Sequence, residues 1–239
     1  HCAHHWSVVD ALLAPAQVIQ FHKPQSVDAL VAKRVAFLTD YQNASYAKRY
    51  SDVVARVQTA EAALHKTSLS EAVARNLFKL MAYKDEYEVA RLYTDGEFLR
   101  GLDEQFEGDW SVHFHLAPPL FAKRDGKGHL MKAKFGPRML VAFRLLAKLK
   151  GLRGTWMDVF GYTAERRAER ALIVEYRETV LAMLGRLSRG SLEKAVEVAG
   201  VPEEIRGYGH VKEAALARAQ TVRARLLSEF EAAVAGADG

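Results

Sequence analysis

Residues 68–93 carry the sequence SLSEAVARNLFKLMAYKDEYEVARLY. Ser68 and Glu71 have the spacing of a capping box, in which a serine and a glutamate three residues later cap the start of a helix. The first half of the stretch is apolar nearly all round, which is typical of a helix buried in a core. Asp95-Gly96 follows as a stop signal. We therefore predict one long helix that begins at Ser68, ends near Tyr93 and lies at the centre of the core.

Similar signals predict helices on both sides of this stretch. Ser26 is a suitable N-cap before apolar residues at helical spacing, and Thr163 has the same position before a longer amphipathic segment. Pro137 after Gly136 favours another helix start. The predicted helices cover residues 27–41, a second segment to 64, 97–106, 137 to about 150, 164–187, a short helix from 191, and about 208–234.

Between these helices the sequence changes to the period of a β-strand. Apolar and polar residues alternate over 110–116 and again over 129–135, and turn-forming residues at 123–128 separate the two segments. The sequence therefore predicts a mainly α fold, a multi-helix domain with a small inserted antiparallel β-hairpin near 109–135. Residues 1–25 are predicted to be a lead-in or linker from a preceding domain, and residues 26–239 to form the helical domain.

Composition places the chain among ordinary globular domains. Its 239 residues are 49% hydrophobic and 26% charged, which supplies enough apolar material for a core. The sequence has no apolar run of membrane-span length and no secretory signal pattern, so we expect a cytoplasmic protein without a membrane partner. Because the first residue is His1 and not methionine, we also expect this chain to be part of a longer one.

The single cysteine, Cys2, restricts the metal chemistry of the chain. It rules out an internal disulfide and any iron–sulfur or zinc site built only from cysteines of this chain. With His1, His4 and His5 it could bind a transition metal, but a frayed terminus is the favoured interpretation. We therefore predict no metal site in this segment.

Motifs for enzymatic chemistry are missing from the sequence. It contains no Gly-x-x-x-x-Gly-Lys-Ser/Thr loop, no Gly-x-Gly-x-x-Gly fingerprint and no recognisable serine, histidine and acid trio. Asp85 and Glu86 could do acid–base work as paired carboxylates, but neighbouring side chains on a helix diverge by about 100°. A salt-bridged helix face over residues 84–88, and a solvated or interdomain ion network over 165–170, are therefore favoured. We predict no catalytic residue.

A cationic patch on the hairpin is the binding site that the residues themselves indicate. His113 and His115 are predicted to share one face, and Lys132 and Lys134 one face of the partner strand. With Arg138 they could bind a carboxylate or a phosphate, although a solvated strand face is the favoured alternative. The net charge of +5 is spread along the chain and not gathered in a stripe, so a nucleic-acid partner is not favoured.

Seven strings go beyond such generic features. They are RVAFLTDYQN (34–43), LMAYKDEYEVARLY (80–93), FHLAPPL (114–120), FGP (135–137), LRGT (152–155), FGYTAERR (160–167) and RGYGHVK (206–212). In this order, from about residue 26 to the end, they resemble the C-terminal region of the long-chain indolepyruvate ferredoxin oxidoreductases. Residues 1–25 match that region poorly.

The resemblance implies a parent enzyme that oxidatively decarboxylates arylpyruvates such as indolepyruvate to the acyl-CoA. In that family thiamine diphosphate forms the carbanion, and iron–sulfur clusters pass electrons to ferredoxin. This segment has no Gly-Asp-Gly thiamine diphosphate motif and no series of cysteines, so we expect these cofactors and CoA to serve the parent and none to be bound here. Residues 26–239 would then be a C-terminal accessory or scaffold domain, not catalytic alone, that docks on other domains of the parent or on a dimer partner.

Two other functions stay open from the sequence. A run of basic residues could make the chain a binding module for RNA or another polyanion, and such binding would be steeply salt-sensitive. Alternatively the segment completes a CoA or substrate pocket, with the hairpin lysines or Arg153 contacting a phosphate. The candidate anion contacts are Lys132, Lys134, Arg138 and Arg153, and Lys148 and Lys150 extend the basic run.

Overall fold

A computed structural model describes residues 26–108, 111–116, 133–207 and 210–237. Within these ranges the chain is mainly helical, and one pair of short strands interrupts the helices, so the predicted fold class is confirmed. None of the helices in these ranges is long and apolar enough to cross a membrane. Residues 1–25, with the histidines and the cysteine considered as metal ligands, lie outside the described residues.

The elements follow one another with short connections. They are α1 Val27–Tyr41, α2 Ala44–Ala62, α3 Ser68–Met81, α4 Glu86–Leu92, α5 Glu97–Gln105, β1 Phe114–Leu116, β2 Ala133–Phe135, α6 Met139–Lys148, a 3-10 turn Leu149–Leu152, α7 Ala164–Leu184, α8 Leu192–Gly200, a 3-10 turn Val201–Glu204, and α9 His210–Ala237.

The main core is built around α3. This helix packs against α1, α2, α7 and α8, as the apolar sequence of residues 68–81 predicts, and α9 packs on α8. Tyr41 and Tyr50 are fully buried in this core beside aliphatic side chains such as Leu38 and Leu77. Burial of such large side chains is the main source of stability in a domain of this kind.

A second, smaller core holds the strands against the helices. β1 and β2 pair antiparallel with Phe114 opposite Phe135, which agrees with the predicted pairing, although the turn near 123–128 and Lys132 lie outside the described residues. Phe114 and Phe143 are buried together, and the ring of Tyr93 stacks on Phe143 at 5.4 Å between centroids. The strands thus rest on α4 and α6, which a two-stranded sheet needs in order to be stable.

The prediction of one long helix over residues 68–93 is wrong. The chain leaves the helical path after Met81 and starts α4 at Glu86. Two tyrosine hydroxyls stabilise the break, because Tyr46 donates to the carbonyl of Met81 at 3.0 Å and Tyr41 to the carbonyl of Tyr83 at 2.8 Å. Asp85 then caps α4 by accepting a hydrogen bond from the Glu88 amide at 2.8 Å. Tertiary partners therefore override the helical pattern of the sequence.

The predicted capping box at Ser68 is also wrong. Thr67 is the N-cap of α3, and its side chain makes no capping hydrogen bond. The buried carboxylate of Glu61 accepts instead from the amides of Leu69 and Ser70, each at 2.8 Å. Glu71 forms an exposed ion pair with Arg75. A side chain from the preceding helix thus does the work that the pattern assigned to Ser68 and Glu71.

Candidate functional site

Arg153 is a buried cation at the junction of α1, α4 and the 3-10 turn, with only 3% of its surface exposed. Its Nε and Nη2 donate to the two carboxylate oxygens of Asp85, the second at 2.8 Å, and Nη1 donates to the carbonyl of Tyr41. The guanidinium carbon lies 3.6 Å from the centre of the Tyr41 ring. Paired oxygens, a carbonyl and an aromatic face together satisfy the guanidinium fork.

Three tyrosines surround this ion pair and stay neutral. Burial and the nearby Asp85 charge raise the pKa of Tyr83 to about 12, and the same two causes raise the pKa of Tyr41 still further. Burial and the carboxylate of Asp158 raise the pKa of Tyr87. Hydroxyls that keep their protons can act as hydrogen-bond donors, and Tyr41 and Tyr87 do so here.

A second buried carboxylate, that of Asp158, shapes the chain just after Arg153. It accepts from the amide of Gly154 at 2.7 Å, from the amide of Gly161 at 3.0 Å and from the hydroxyl of Tyr87 at 3.2 Å. The ring of Phe160 packs edge-on against Tyr87 at 5.4 Å. The Asp158 carboxylate therefore binds both ends of the segment 154–161 and connects this segment to α4 through Tyr87.

The turn presents large apolar side chains to solvent. We call residues 155–162 the Trp156 turn. Trp156 is 80% exposed and Tyr162 is 60% exposed, and Met157 and Val159 are also exposed. The hydroxyl of Tyr162 donates to the carbonyl of Trp156 at 2.6 Å, which holds the turn across its width. Clustered exposed apolar side chains mark interaction sites, and a turn that is already ordered loses little entropy when it binds.

Gly161→Ala tests how rigidly Asp158 holds the Trp156 turn. An added Cβ would lie 2.4 Å from Oδ2 and 2.7 Å from Cγ of Asp158, so the carboxylate would have to abandon its bonds to the turn. We expect the free energy of unfolding to fall by about 1–3 kcal/mol in urea denaturation. The matched control is Gly185→Ala at the end of α7, where a Cβ meets nothing within 4 Å. Equal stabilities of the two variants would contradict a rigid turn.

The candidate anion contacts from the sequence lie in different environments. Lys134 is exposed on β2, where it pairs in register with position 115, and Arg138 is exposed ahead of α6. Lys132 lies outside the described residues. Arg153 is buried, and its hydrogen bonds go to Asp85 and Tyr41. Of the three candidates that the structure describes, Lys134 and Arg138 are therefore the ones exposed to solvent as possible anion contacts.

Only some cations of the basic run that motivates the polyanion hypothesis are free to meet a polyanion. Asp85 neutralises Arg153, and the ammonium of Lys150 donates to the carbonyl of Asp40. Lys134, Arg138 and Lys148 remain exposed to solvent. Over the described ranges, no group of three or more His, Cys, Asp or Glu side chains could hold a metal ion.

The predicted ion pairs near α4 and α7 are present, but they are more buried than expected. Arg166 lies 2.6 Å from Glu169 and 3.5 Å from Glu86, and all three side chains are less than one-fifth exposed. Glu88 pairs with Arg91 at 2.8 Å. Arg170 bonds the carbonyl of Gly161 and not a carboxylate. The ion pair between Arg166 and Glu86 therefore joins α7 to α4.

Sequence reasoning missed several residues of this site. The sequence pattern offers Asp85 as part of a salt-bridged helix face or of a carboxylate pair with Glu86, and it assigns no site role to Asp158 or Tyr41. The signal that could have found them is their place in or beside the strings quoted above, since Tyr41 lies in 34–43, Asp85 in 80–93, and Asp158 between 152–155 and 160–167.

Fold and site together define a helical domain in which a buried ion pair supports an exposed aromatic turn. The chain belongs to the family of unknown function DUF6537, whose sequence model matches residues 27–225. The match includes every residue of the site described above. Neither the curated proteins nor the solved structures contain a match to the chain.

Proposed function

We propose that this chain is the C-terminal accessory domain of an indolepyruvate ferredoxin oxidoreductase and that it acts as a scaffold. The parent would oxidatively decarboxylate arylpyruvates to the acyl-CoA and pass electrons to ferredoxin. This domain would supply no catalytic residue. It would dock through the Trp156 turn on another domain of the parent chain or on the dimer partner.

The observation that carries the docking role is the exposure of the Trp156 turn. A tryptophan that is 80% exposed and a tyrosine that is 60% exposed lie on one turn. The buried Asp158 accepts hydrogen bonds from the amide of Gly161 in the turn and from the amide of Gly154 just before it. Tryptophan and tyrosine are enriched among residues that dominate binding energy at protein interfaces.

The strings that resemble the oxidoreductases support the same placement. Tyr41, Asp85 and Arg153 come from three of these strings and form one buried cluster. A fourth string, 160–167, forms the end of the Trp156 turn and begins α7. Four of the seven strings therefore contribute to the site that supports the exposed turn.

In this proposal the cofactors of the parent are bound by domains other than this one. An iron–sulfur cluster needs several thiolates, and the sequence contains only Cys2. Thiamine diphosphate and the clusters would be held by other domains of the parent, and this domain would position those domains.

Trp156→Ser in the full-length parent tests the docking role. Because the indole is exposed, we expect the free energy of unfolding to change by less than about 0.5 kcal/mol. Loss of an interface anchor should lower indolepyruvate- and CoA-dependent dye reduction at least tenfold, or dissociate the assembly in size-exclusion chromatography. Phe106→Ser, which removes another aromatic side chain that is 55% exposed, is the control and should leave both readouts unchanged.

A deletion addresses the identity of the parent. The full-length protein and a version truncated before Ser26 are compared for cofactor content and for reduction of ferredoxin by indolepyruvate and CoA. Activity in the full-length protein with loss on truncation supports the proposal. A full-length protein that holds its cofactors and does not oxidise arylpyruvates contradicts the identity of the parent, and full activity of Trp156→Ser contradicts the docking role alone.

A further inference from the structure

Exposed apolar side chains concentrate in one stretch of this chain. Ten large apolar side chains are exposed among the described residues, and seven of them lie within residues 141–162. Four of the seven belong to the Trp156 turn. The other three precede that turn, Val141 and Leu145 on α6 and Leu149 just after it, with 66%, 64% and 41% of their surface exposed. Single exposed apolar residues are ordinary, but a concentration of them marks an interaction site.

The three side chains before the turn form a stripe along the outer side of α6. They recur every four residues, and a helix turns once in 3.6 residues, so they lie one above another. On the inner side Phe143 is buried, and Leu140 and Leu146 pack in the same small core. A helix that is apolar on both sides is typical of a position between two packed layers. The described residues cover only the inner side, which leaves the stripe for a partner.

Exposed cations border this stripe. Arg144 and Lys148 are exposed and stand four residues apart, so they form a row beside the stripe. Arg138, also exposed, is the N-cap of α6, where the positive end of the helix dipole favours a negative charge nearby. The sequence contains no aspartate or glutamate from residue 126 to residue 157, so this stretch does not balance its own cations. We call the stripe and these three cations the α6 face.

The chemistry of the α6 face selects among partners. The same face of a second copy would set cations against cations, which opposes association. A nucleic acid would meet the cations through its phosphates, but such interfaces are polar and would leave the apolar stripe in water. A lipid surface suits a helix that inserts its larger apolar side, whereas α6 turns that side, with Phe143, into the core. A protein surface that has an apolar centre and carboxylates around it matches both the stripe and the cations.

We infer that the α6 face is a second docking surface of this domain and that it binds an acidic protein surface with an apolar centre. The inference rests on the docking role proposed above, because both surfaces would meet the same parent. Carboxylates of the partner pair with Arg144 and Lys148, and apolar side chains of the partner cover Val141 and Leu145. The charges at the border fix the register of the contact, and burial of the stripe supplies most of the affinity.

The test compares hydrogen–deuterium exchange, followed by mass spectrometry, in the intact chain and in the full-length parent. Amides of residues 139–149 should exchange about tenfold more slowly in the parent, because a docked helix opens less often. Arg144→Glu with Lys148→Glu in the parent should return them to the rates of the intact chain, since carboxylates would then face carboxylates. Lys33→Glu with Lys66→Glu makes the same change in net charge at exposed positions elsewhere and should leave the rates unchanged.

A second variant tests the apolar stripe separately. Leu145→Gln in the parent should also speed the exchange of residues 139–149 about tenfold, since the partner then covers a polar group. The control is Val174→Gln on α7, where the side chain is 44% exposed, and it should leave the rates unchanged. All the changed side chains are exposed, so the circular dichroism of the intact chain should be the same in every variant.

The outcomes separate this inference from the docking role of the Trp156 turn. Slower exchange of residues 155–162 alone in the parent would overturn the inference and leave that docking role standing. Slower exchange of residues 139–149 alone would support the α6 face and contradict the role of the Trp156 turn. Slow exchange of residues 139–149 that persists after the charge reversal would mean that the partner is not acidic, which overturns the inference.

A lipid partner would give a different result. The intact chain would then sediment with vesicles of phosphatidylcholine and phosphatidylglycerol in equal parts, and the charge reversal would abolish this sedimentation. Such binding, together with equal exchange of residues 139–149 in the intact chain and in the parent, would assign the α6 face to a lipid surface and overturn the inference.

Discussion

Arg153→Met is expected to lower the free energy of unfolding by about 3–5 kcal/mol, because it leaves the buried carboxylate of Asp85 without a counter-charge. Both side chains of this pair are almost completely buried, at 2% and 3% exposure, so water cannot replace the lost donor. Methionine matches the length of the arginine stem and fills most of its volume, so the variant removes charge and hydrogen bonds more than packing. Urea denaturation followed by circular dichroism measures the loss.

A double-mutant cycle separates the pair from its surroundings. Asp85→Asn keeps a side chain that can cap α4 and removes the charge. The double variant Asp85→Asn with Arg153→Met should lose less free energy of unfolding than the two single variants lose together, because it leaves no unpaired buried charge. Arg75→Met is the control, since the exposed Arg75–Glu71 pair should contribute less than about 1 kcal/mol. A loss for Arg153→Met no greater than that for Arg75→Met would contradict the stabilising role of the buried pair.

The effect of Arg153 extends beyond stability. Gly154, the next residue, donates to Asp158, and Tyr87 in the first turn of α4 donates to the same carboxylate. Asp85, which caps that turn, is fixed by Arg153. Loss of Arg153 should therefore loosen the Trp156 turn, and the docking role predicts that the activity of the parent falls together with stability in this variant. Trp156→Ser, by contrast, should change activity without changing stability.

Local chemistry explains which parts of the fold the sequence could predict. Ser26 accepts from the Ala29 amide at 3.2 Å and Thr163 from the Arg166 amide at 3.3 Å, so both helix starts depend on residues within three positions. The strands follow from alternation over a few residues in the same way. Each of these signals is complete within one short segment, and the corresponding predictions are confirmed.

The break in the helix over residues 68–93 depends on residues far away in the chain. Asp85 meets Arg153, 68 positions later, and the Tyr83 carbonyl meets a hydroxyl from 42 positions earlier. Locally, residues 82–85 carry no proline or glycine to end a helix. Without the tertiary partners nothing in this segment distinguishes a break from a continuing amphipathic helix.

The candidate site could not be predicted from the sequence because its charged residues are buried and its large apolar residue is exposed. Charged residues are expected at the surface and large apolar residues inside, so the sequence alone places Arg153 in a basic run with solvent-facing cations. In the structure Arg153 and Asp158 are each 3% exposed while Trp156 between them is 80% exposed. Such an inversion requires partners for both charges. Arg153 has Tyr41 and Asp85, and Asp158 has Tyr87 of α4 and two backbone amides of its own turn region.

The buried glutamate that starts α3 provides the second large effect. Glu61→Ala is expected to lower the free energy of unfolding by roughly 3 kcal/mol, since two buried amides lose their acceptor and each unsatisfied group costs about 1–3 kcal/mol. The carboxylate also accepts from the Ser70 hydroxyl at 2.6 Å, so a third donor is left without its partner. Chemical denaturation of the intact chain measures the loss.

Two further variants identify the cause of that loss. Glu61→Gln keeps the shape and one oxygen acceptor but places an amide group against a second donor, so its stability should fall between those of the wild type and Glu61→Ala. Glu71→Ala removes the glutamate that the sequence pattern assigns to the cap, and it should cost less than about 1 kcal/mol because its partner Arg75 is exposed. A larger loss for Glu71→Ala than for Glu61→Ala would return the capping role to the Ser68 and Glu71 pair. The opposite order would establish that a side chain from α2, and not the local Ser68 and Glu71 pair, stabilises the start of α3, the central helix of the core.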